Sequence, residues 1–169
     1  MLCVETSVAE GDWDPDMGWA MLADGACAAA LAQTSHAELA RISRTLEVSV
    51  RFTDDTEVRL LNASYRHKDK PTNVLSFPMV TPDALDALGS PGDDEVLLGD
   101  IVLAAGVVNT EAAEKQISAS DHVRHLVVHG MLHLLGYDHG TDADAEHMEA
   151  TEIAAMAMLG VADPYAGDR

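Results

Sequence analysis

The stretch from His129 to His139, HGMLHLLGYDH, places three histidines at the spacing H-x3-H-x5-H. Two imidazoles four residues apart lie on one face of a helix about one turn apart, so both can reach one metal ion. Zinc proteases of the metzincin type space their histidine ligands in the same way. We therefore predict that His129, His133 and His139 bind one Zn²⁺ ion.

The element that must carry the first two ligands is a helix over about residues 120 to 136. It is apolar nearly all round, which is typical of a buried helix. Gly136 can adopt the left-handed conformation that ends a helix, so we expect the chain to turn back there and bring His139 to the same ion. The apolar residues of this helix are Leu126, Val127, Val128, Met131, Leu132, Leu134 and Leu135.

The roles of the other histidines and of Asp138 stay open at this point. His125, one turn before His129, is either a further ligand or a residue behind the ligands or in the core, and the second reading is favoured. A fourth ligand from His125 or His147 would close the site, as in structural zinc sites, whereas three ligands leave a position open. Asp138 either orients an imidazole or is a turn residue. The histidines expected at the surface or in packing are His36, His67, His122 and His147.

Gly130 stands where metzincin-type proteases carry their glutamate base. A peptidase needs a carboxylate there to take a proton from water and pass it to the leaving amine. Without it, peptide hydrolysis is disfavoured. A phosphodiester makes fewer demands on the protein, because zinc lowers the pKa of water towards about 7 and polarises a phosphoryl oxygen. RNA also carries its own 2′-hydroxyl nucleophile.

Positive charge is concentrated in one stretch of an acidic chain. Of the net charge of −19, residues 62–78 carry +2 through Arg66, Lys68 and Lys70 against Asp69, and the remainder carries −21. Such a balance excludes a general nucleic-acid binder and predicts that a polyanion binds at this one place. Alternatively, these cations are a solvated helix end, where they complement the helix dipole.

Composition indicates one soluble domain over 1–160 and a disordered tail over 161–169. The chain has 169 residues, of which 47% are hydrophobic and 23% charged. Its N-terminus lacks the features of a signal peptide and no run is long enough to span a membrane, so we expect a cytoplasmic protein. Cys3 and Cys27 form no C-x-x-C pair, which argues against thiolate zinc ligation and favours buried thiols.

The remaining patterns predict an α+β fold in which a small mixed sheet of about four strands is packed by helices around a central buried metal-binding helix. Asp54-x-x-Glu57 resembles a capping box and starts a helix that ends near Arg66. The acidic stretch from 81 to 95 is expected to be a mobile loop. Strands are predicted at 1–8, 46–52, 73–77 and 97–104, and further helices at 17–34, 106–117, 120–136 and 142–159.

Three motifs in the same order, YRHKDKPTNVLSFP at 65–78, LGDIV at 98–102 and HGMLHLLGYDH, closely resemble the YbeY family of bacterial rRNA-maturation endoribonucleases. The resemblance is strong from about residue 60 to 140. It implies an α+β fold, zinc on the three histidines, and cleavage of single-stranded RNA in small-subunit rRNA 3′-end maturation and ribosome quality control. It also implies a functional role for Arg66.

Three classes of function follow, led by a zinc-dependent endoribonuclease. In it, Arg66 and His129 are the catalytic candidates, because a planar guanidinium suits the charge that develops on a phosphorane. Lys68 and Lys70 are expected to bind flanking phosphates of the RNA. No DNA or membrane partner is expected. The second class is a hydrolase of another substrate, including peptides, and the third is a non-catalytic ribosome-assembly factor with a structural zinc.

Overall fold

The computed structural model describes residues 1–92 and 94–168 and contains one four-stranded mixed sheet. The strands are β1 (Leu2–Val8), β2 (Thr45–Thr53), β3 (Val74–Pro78) and β4 (Glu95–Ala104), in the order β1-β2-β4-β3. β1, β2 and β4 run parallel, and β3 lies antiparallel to β4 at the edge. This architecture confirms the predicted α+β class with a mixed sheet.

Helices pack against the sheet and against one another. No helix among the described residues is long and apolar enough to cross a membrane. Short 3₁₀ turns lie at Ala37–Arg41 and Ala166–Asp168. The α-helices are α1 (Trp19–Ala32), α2 (Asp55–Arg66), α3 (Pro82–Ala87), α4 (Ala105–Lys115), α5 (Ala119–Leu134) and α6 (Asp142–Met158).

The main core lies between one face of the sheet and helices α1, α5 and α6. Alternate residues of β2 point into it and are fully buried, because successive side chains of a strand face opposite sides. On the other face, Val58 of α2 packs against β3 and β4 in a smaller cluster. The prediction of a central buried helix is confirmed for α5, which contacts β3, β4, α1, α4 and α6. The inward residues of β2 are Leu46, Val48, Val50 and Phe52.

The position of Arg66 follows from where helix α2 begins and ends. The Asp54 side chain accepts a hydrogen bond from Glu57 N at 2.9 Å, which is half of a capping box. The other half is absent among the described contacts, because the Glu57 carboxylate accepts from Arg51 and Thr53 instead. The helix then runs to Arg66, as predicted.

The acidic stretch from 81 to 95 differs from the predicted mobile loop, because it contains α3. Thr81 caps this helix by accepting from Ala84 N at 3.3 Å. Leu85 and Leu88 are buried and anchor the segment to the core. These two leucines hold the acidic stretch against the core. Asp93 lies outside the described residues.

Residues 161–168 also differ from the tail predicted over 161–169. Val161 packs against the main core, and the Tyr165 hydroxyl donates a hydrogen bond to Glu152. Arg169 lies outside the described residues. Val161 and Tyr165 are the two side chains that attach this segment, and the composition of the segment did not predict their contacts.

Candidate metal centre

His129 and His133 face each other from consecutive turns of α5. Their Nε2 atoms are 3.1 Å apart, and both side chains are half-buried. Their spacing along a buried helix holds them on the one face that opens to solvent. The helix therefore presents two imidazole nitrogens to the same point.

Gly136 ends α5 and returns the chain towards this point, as predicted. Its φ is 90°. Tyr137 N donates to Leu132 O at 3.0 Å and Gly136 N donates to His133 O at 3.1 Å, which is the Schellman pattern of hydrogen bonds. The turn brings the ring centroid of His139 to 5.3 Å from that of His133 and 6.0 Å from that of His129.

The three predicted ligands thus form one cluster. Each of His129, His133 and His139 offers a nitrogen within 4.8 Å of the nitrogens of the other two. Burial, with a further contribution from His129, lowers the pKa of His133 below its ordinary value, although the hydrogen bond to Tyr137 opposes the shift. A lowered pKa favours the neutral imidazole, which is the form that binds metals.

The second nitrogens of two of these rings are held by hydrogen bonds. His133 Nδ1 lies 2.9 Å from Tyr137 O, and His129 Nδ1 lies 2.9 Å from Glu152 Oε1. Because a carbonyl and a carboxylate only accept, both Nδ1 atoms carry a proton, which leaves Nε2 as the nitrogen of each ring that can bind a metal. This arrangement fixes ligand orientation in known metal sites.

Glu152 of α6 is the residue that sequence reasoning missed. It is 1% exposed, and its Oε1 also accepts from His125 Nε2 at 3.0 Å. Burial alone would raise the pKa of this carboxyl, but hydrogen bonds and charge from His125 and His129 overcome burial and lower the pKa to about 2. A signal was available, because Glu152 is the one charged residue in the buried stripe of α6. That stripe is Met148, Thr151, Glu152, Ala155 and Met156.

His125 lies behind the cluster, where it contacts Glu152 and the Tyr165 hydroxyl. His147 is exposed and stacks on Tyr137 with ring centroids 5.4 Å apart. Neither belongs to the group of described residues whose nitrogens converge.

The three other histidines lie away from the cluster. His122 is 2% exposed, and its Nε2 lies 2.9 Å from Glu111 Oε1. His36 precedes the first 3₁₀ turn, and His67 is an exposed residue in left-handed conformation that ends α2.

Asp138 is placed in the turn between Gly136 and His139. Its Oδ1 accepts from His139 N at 2.8 Å, as in a turn residue, and no hydrogen bond to an imidazole is found for it among the described residues. It nevertheless lines the same cavity as the three histidines.

Arg66 and the histidine cluster line one cavity of about 480 Å³. Its lining comes from the end of α2, from residues 72–76 at the start of β3, from α5, and from Asp138, His139 and Tyr165. Arg66 itself is exposed at the end of α2. The tertiary structure therefore brings Arg66 and the histidine cluster to one cavity, although Arg66 and His129 are 63 residues apart in the sequence.

Lys68 and Lys70 are exposed in the turn after α2 and lie outside the residues that line this cavity. The intervening Asp69 is bound by Arg59 at 2.8 Å. Asp69 therefore pairs with Arg59 of α2 and not with its neighbours Lys68 and Lys70, so it does not neutralise these two lysines.

Gly130 has a packing role that the sequence did not reveal. It is buried, and a Cβ placed there would lie 3.1 Å from Ile101 Cγ2 of β4. Position 130 therefore faces the sheet and not the cavity, and glycine allows α5 to approach β4 closely.

The fold and the converging histidines define a candidate mononuclear metalloprotein with a cavity open beside its ligands. A family model described as "Endoribonuclease YbeY" matches residues 22–160. The chain therefore belongs to the YbeY family, as its three motifs predicted.

Relatives and a solved structure agree with this assignment. The chain is 54% identical to "Endoribonuclease YbeY" of Rhizorhabdus wittichii over 164 residues, which cover 96% of this chain and 97% of the relative. It is 52% identical to the protein of the same name from Sphingopyxis alaskensis, covering 98% of each. The solution structure of TM1509 from Thermotoga maritima shares the fold, with a TM-score of 0.54, 20% identity and coverage of 94% of this chain and 92% of that one.

Proposed function

We propose that this protein is a zinc-dependent endoribonuclease that cuts single-stranded RNA. We further propose that it acts in the cytoplasm on the small ribosomal subunit, in rRNA 3′-end maturation and ribosome quality control. The observation that carries the proposal is the shared cavity, which is lined by an arginine and by three convergent histidines. Family membership supports RNA as the substrate, because the matched relatives are named endoribonucleases.

The three histidines fit a zinc ion. Two nitrogens bound tetrahedrally at about 2.0–2.1 Å lie about 3.3 Å from each other, and the Nε2 atoms of His129 and His133 are 3.1 Å apart. The donor set of neutral imidazoles suits zinc, and three protein ligands leave a fourth position for water or substrate. A zinc ion there would supply Lewis-acid chemistry, polarising a phosphoryl oxygen and lowering the pKa of water.

The protein's own residues supply orientation and charge. Glu152 and Tyr137 hold the ligand rings in place through their Nδ1 protons. Arg66 lines the same cavity, and its planar guanidinium is suited to two oxygens of the scissile phosphate. Lys68 and Lys70 contact flanking phosphates, which places the longer polyanion on the one cationic stretch of the chain.

A peptidase is the second candidate, and Asp138 is the observation in its favour. Asp138 is the one carboxylate among the described residues that line the cavity. Its Oδ1 is engaged by His139 N, however, and Gly130 faces Ile101, so the usual position of a glutamate base is filled by the sheet. A structural zinc in a non-catalytic ribosome-assembly factor is the third candidate, and it would need a fourth protein ligand.

The deciding experiment compares RNA and protein substrates with and without metal. Purified protein is incubated with labelled single-stranded RNA, with a matched duplex and with casein, before and after chelation and after zinc is restored. We expect cleavage of the single strand only, abolished by chelator and by His133→Ala. His147→Ala, which changes a histidine outside the cluster, should cleave normally and keep one zinc per chain.

Two results would contradict the proposal. Stoichiometric metal retained by each of His129→Ala, His133→Ala and His139→Ala would exclude these residues as the ligands. Casein cleavage that disappears with His133→Ala or Asp138→Asn would establish the peptidase instead.

A further inference from the structure

The C-terminal segment 161–168 approaches the candidate metal centre, although it lies beyond residues 22–160 that the family model matches. α6 ends as α5 does, with a glycine in positive φ: Gly160 has φ 75°. Val161 N donates to Met156 O and Gly160 N to Ala157 O, each at 3.0 Å, which repeats the Schellman pattern. One such turn returns His139 to the site, and the other returns this segment.

Tyr165 is the residue that this second turn delivers. Its hydroxyl donates to Glu152 Oε2 at 2.7 Å, and its ring lies edge-on to His125 with centroids 5.2 Å apart. It also lines the cavity of about 480 Å³ together with the three histidines and Arg66. A local hydrogen bond from Tyr165 N to Asp163 Oδ1, at 2.8 Å, fixes the backbone on which the ring stands.

The two oxygens of Glu152 have different partners. Oε1 accepts from His125 and His129, whereas Oε2 has the Tyr165 hydroxyl as its partner among the described residues. Because Glu152 is 1% exposed, an unpartnered Oε2 would be a buried acceptor without compensation. The carboxylate would then rotate or admit water, and the contact that orients the His129 ring would change with it.

We propose that Tyr165 is a positioning residue of the metal centre. Its hydroxyl holds Glu152, Glu152 holds the Nδ1 proton of His129, and His129 thereby points Nε2 at the ion. The ring at the same time closes one wall of the cavity. This inference rests on the proposed function only in taking the three histidines as metal ligands, and it requires no particular substrate.

The test is Tyr165→Phe in the full-length chain, which removes the hydroxyl and keeps the ring. Zinc affinity is measured by competition with a chromogenic chelator, and the coordination sphere by the visible absorption of the Co²⁺-loaded protein. Direct partners of metal-bound histidines typically contribute about 10- to 100-fold in affinity. Tyr165 is one hydrogen bond further out, so we expect about three- to tenfold weaker zinc binding and a changed Co²⁺ spectrum.

Tyr65→Phe is the matched control, because it removes the same hydroxyl from a tyrosine outside the metal centre. The Tyr65 ring packs against Phe77 of β3, and no hydrogen bond of its hydroxyl is found among the described residues. We expect Tyr65→Phe to match the wild type in zinc affinity and Co²⁺ spectrum. Because Tyr165→Phe leaves the buried Glu152 Oε2 without a donor, its metal-free melting temperature should fall, whereas that of the control should match the wild type.

Wild-type affinity and an unchanged Co²⁺ spectrum in Tyr165→Phe would overturn the inference while leaving the metal site and the nuclease proposal intact. Weaker zinc binding with an unchanged Co²⁺ spectrum would assign Tyr165 to folding alone and also overturn it. If the wild-type chain bound no zinc, the proposed metal centre and this inference would fail together. If the wild-type chain bound zinc but did not cleave RNA, only the nuclease proposal would be contradicted.

Discussion

Arg66 is the residue on which the distinction between binding and catalysis depends. It is exposed, it ends α2 and it lines the cavity together with the histidines, so its loss should not disturb the core. We expect Arg66→Ala to keep its zinc and its melting temperature and to cleave RNA about 10²-fold or more slowly, as when one preorganised donor to a transition state is lost. Single-turnover rates at saturating RNA measure this effect.

Four further variants separate geometry from charge. Arg66→Lys should recover only part of the rate, because an ammonium lacks the bidentate fork. Arg59→Ala removes a positive charge from the same helix but at a residue paired with Asp69 outside the cavity, and should cleave normally at saturation. Lys68→Ala and Lys70→Ala should weaken binding and flatten its salt dependence. Wild-type single-turnover rates in Arg66→Ala would remove it from the catalytic residues.

At the scale of an element, the turn after α5 determines whether a third ligand reaches the other two. Gly136 has φ 90°, a region that residues with a Cβ enter at a cost of about 1–2 kcal/mol. Nothing crowds the position, since the nearest atom to an added Cβ is Pro82 Cγ at 3.7 Å. Gly136→Ala should therefore lower the free energy of unfolding by about 1 kcal/mol through backbone strain and weaken zinc binding by displacing His139.

Gly140→Ala is the control for this turn. An added Cβ there meets only Asp138 Oδ2, at 3.7 Å, and Gly140 is not among the described glycines with positive φ. Denaturant unfolding of the metal-free proteins measures the strain, and chelator competition measures the affinity. Equal zinc affinity in Gly136→Ala and wild type would show that His139 reaches the ion without this turn.

At the scale of the whole molecule, stability should depend on pH through His122. This residue joins α5 to Glu111 of α4, and burial lowers its pKa below the ordinary value of a histidine, although the contact with Glu111 opposes the shift. The unfolded chain therefore binds the proton more readily than the folded one. The stability that neutral His122 contributes is present above about pH 6.5 and is lost as pH falls below it.

We expect the free energy of unfolding of the metal-free chain to decrease on acidification below about pH 6.5. Chelator is kept throughout, so that proton competition for the metal ligands does not contribute. His122→Gln, which keeps a hydrogen-bonding side chain but does not titrate, should show a shallower decrease. Parallel pH profiles for His122→Gln and wild type would assign the acid sensitivity to other groups.

The sequence alone determined the features that depend on local periodicity and on residues near each other in the chain. The i, i+4 pair of histidines, the apolar helix around them and the glycine after it specified three convergent imidazoles, because helix geometry fixes which side chains share a face. Alternation in β2 placed a strand within one residue of its limits, and the half-formed capping box at Asp54 likewise placed a helix that begins at Asp55 and ends at Arg66. The family motifs added the expected activity and substrate, which local geometry does not contain.

Only the tertiary structure determined which distant groups meet. It placed Glu152 of α6 behind His129, Arg66 of α2 in the lining of the same cavity, and Tyr165 on the Glu152 carboxylate, although each is separated from His129 by many residues. It also turned Gly130 towards Ile101, so that an apparent loss of a catalytic base became a requirement of helix–sheet packing. Such contacts depend on how helices cross and where chains return, and burial of a shared core decides this after the local elements are already set.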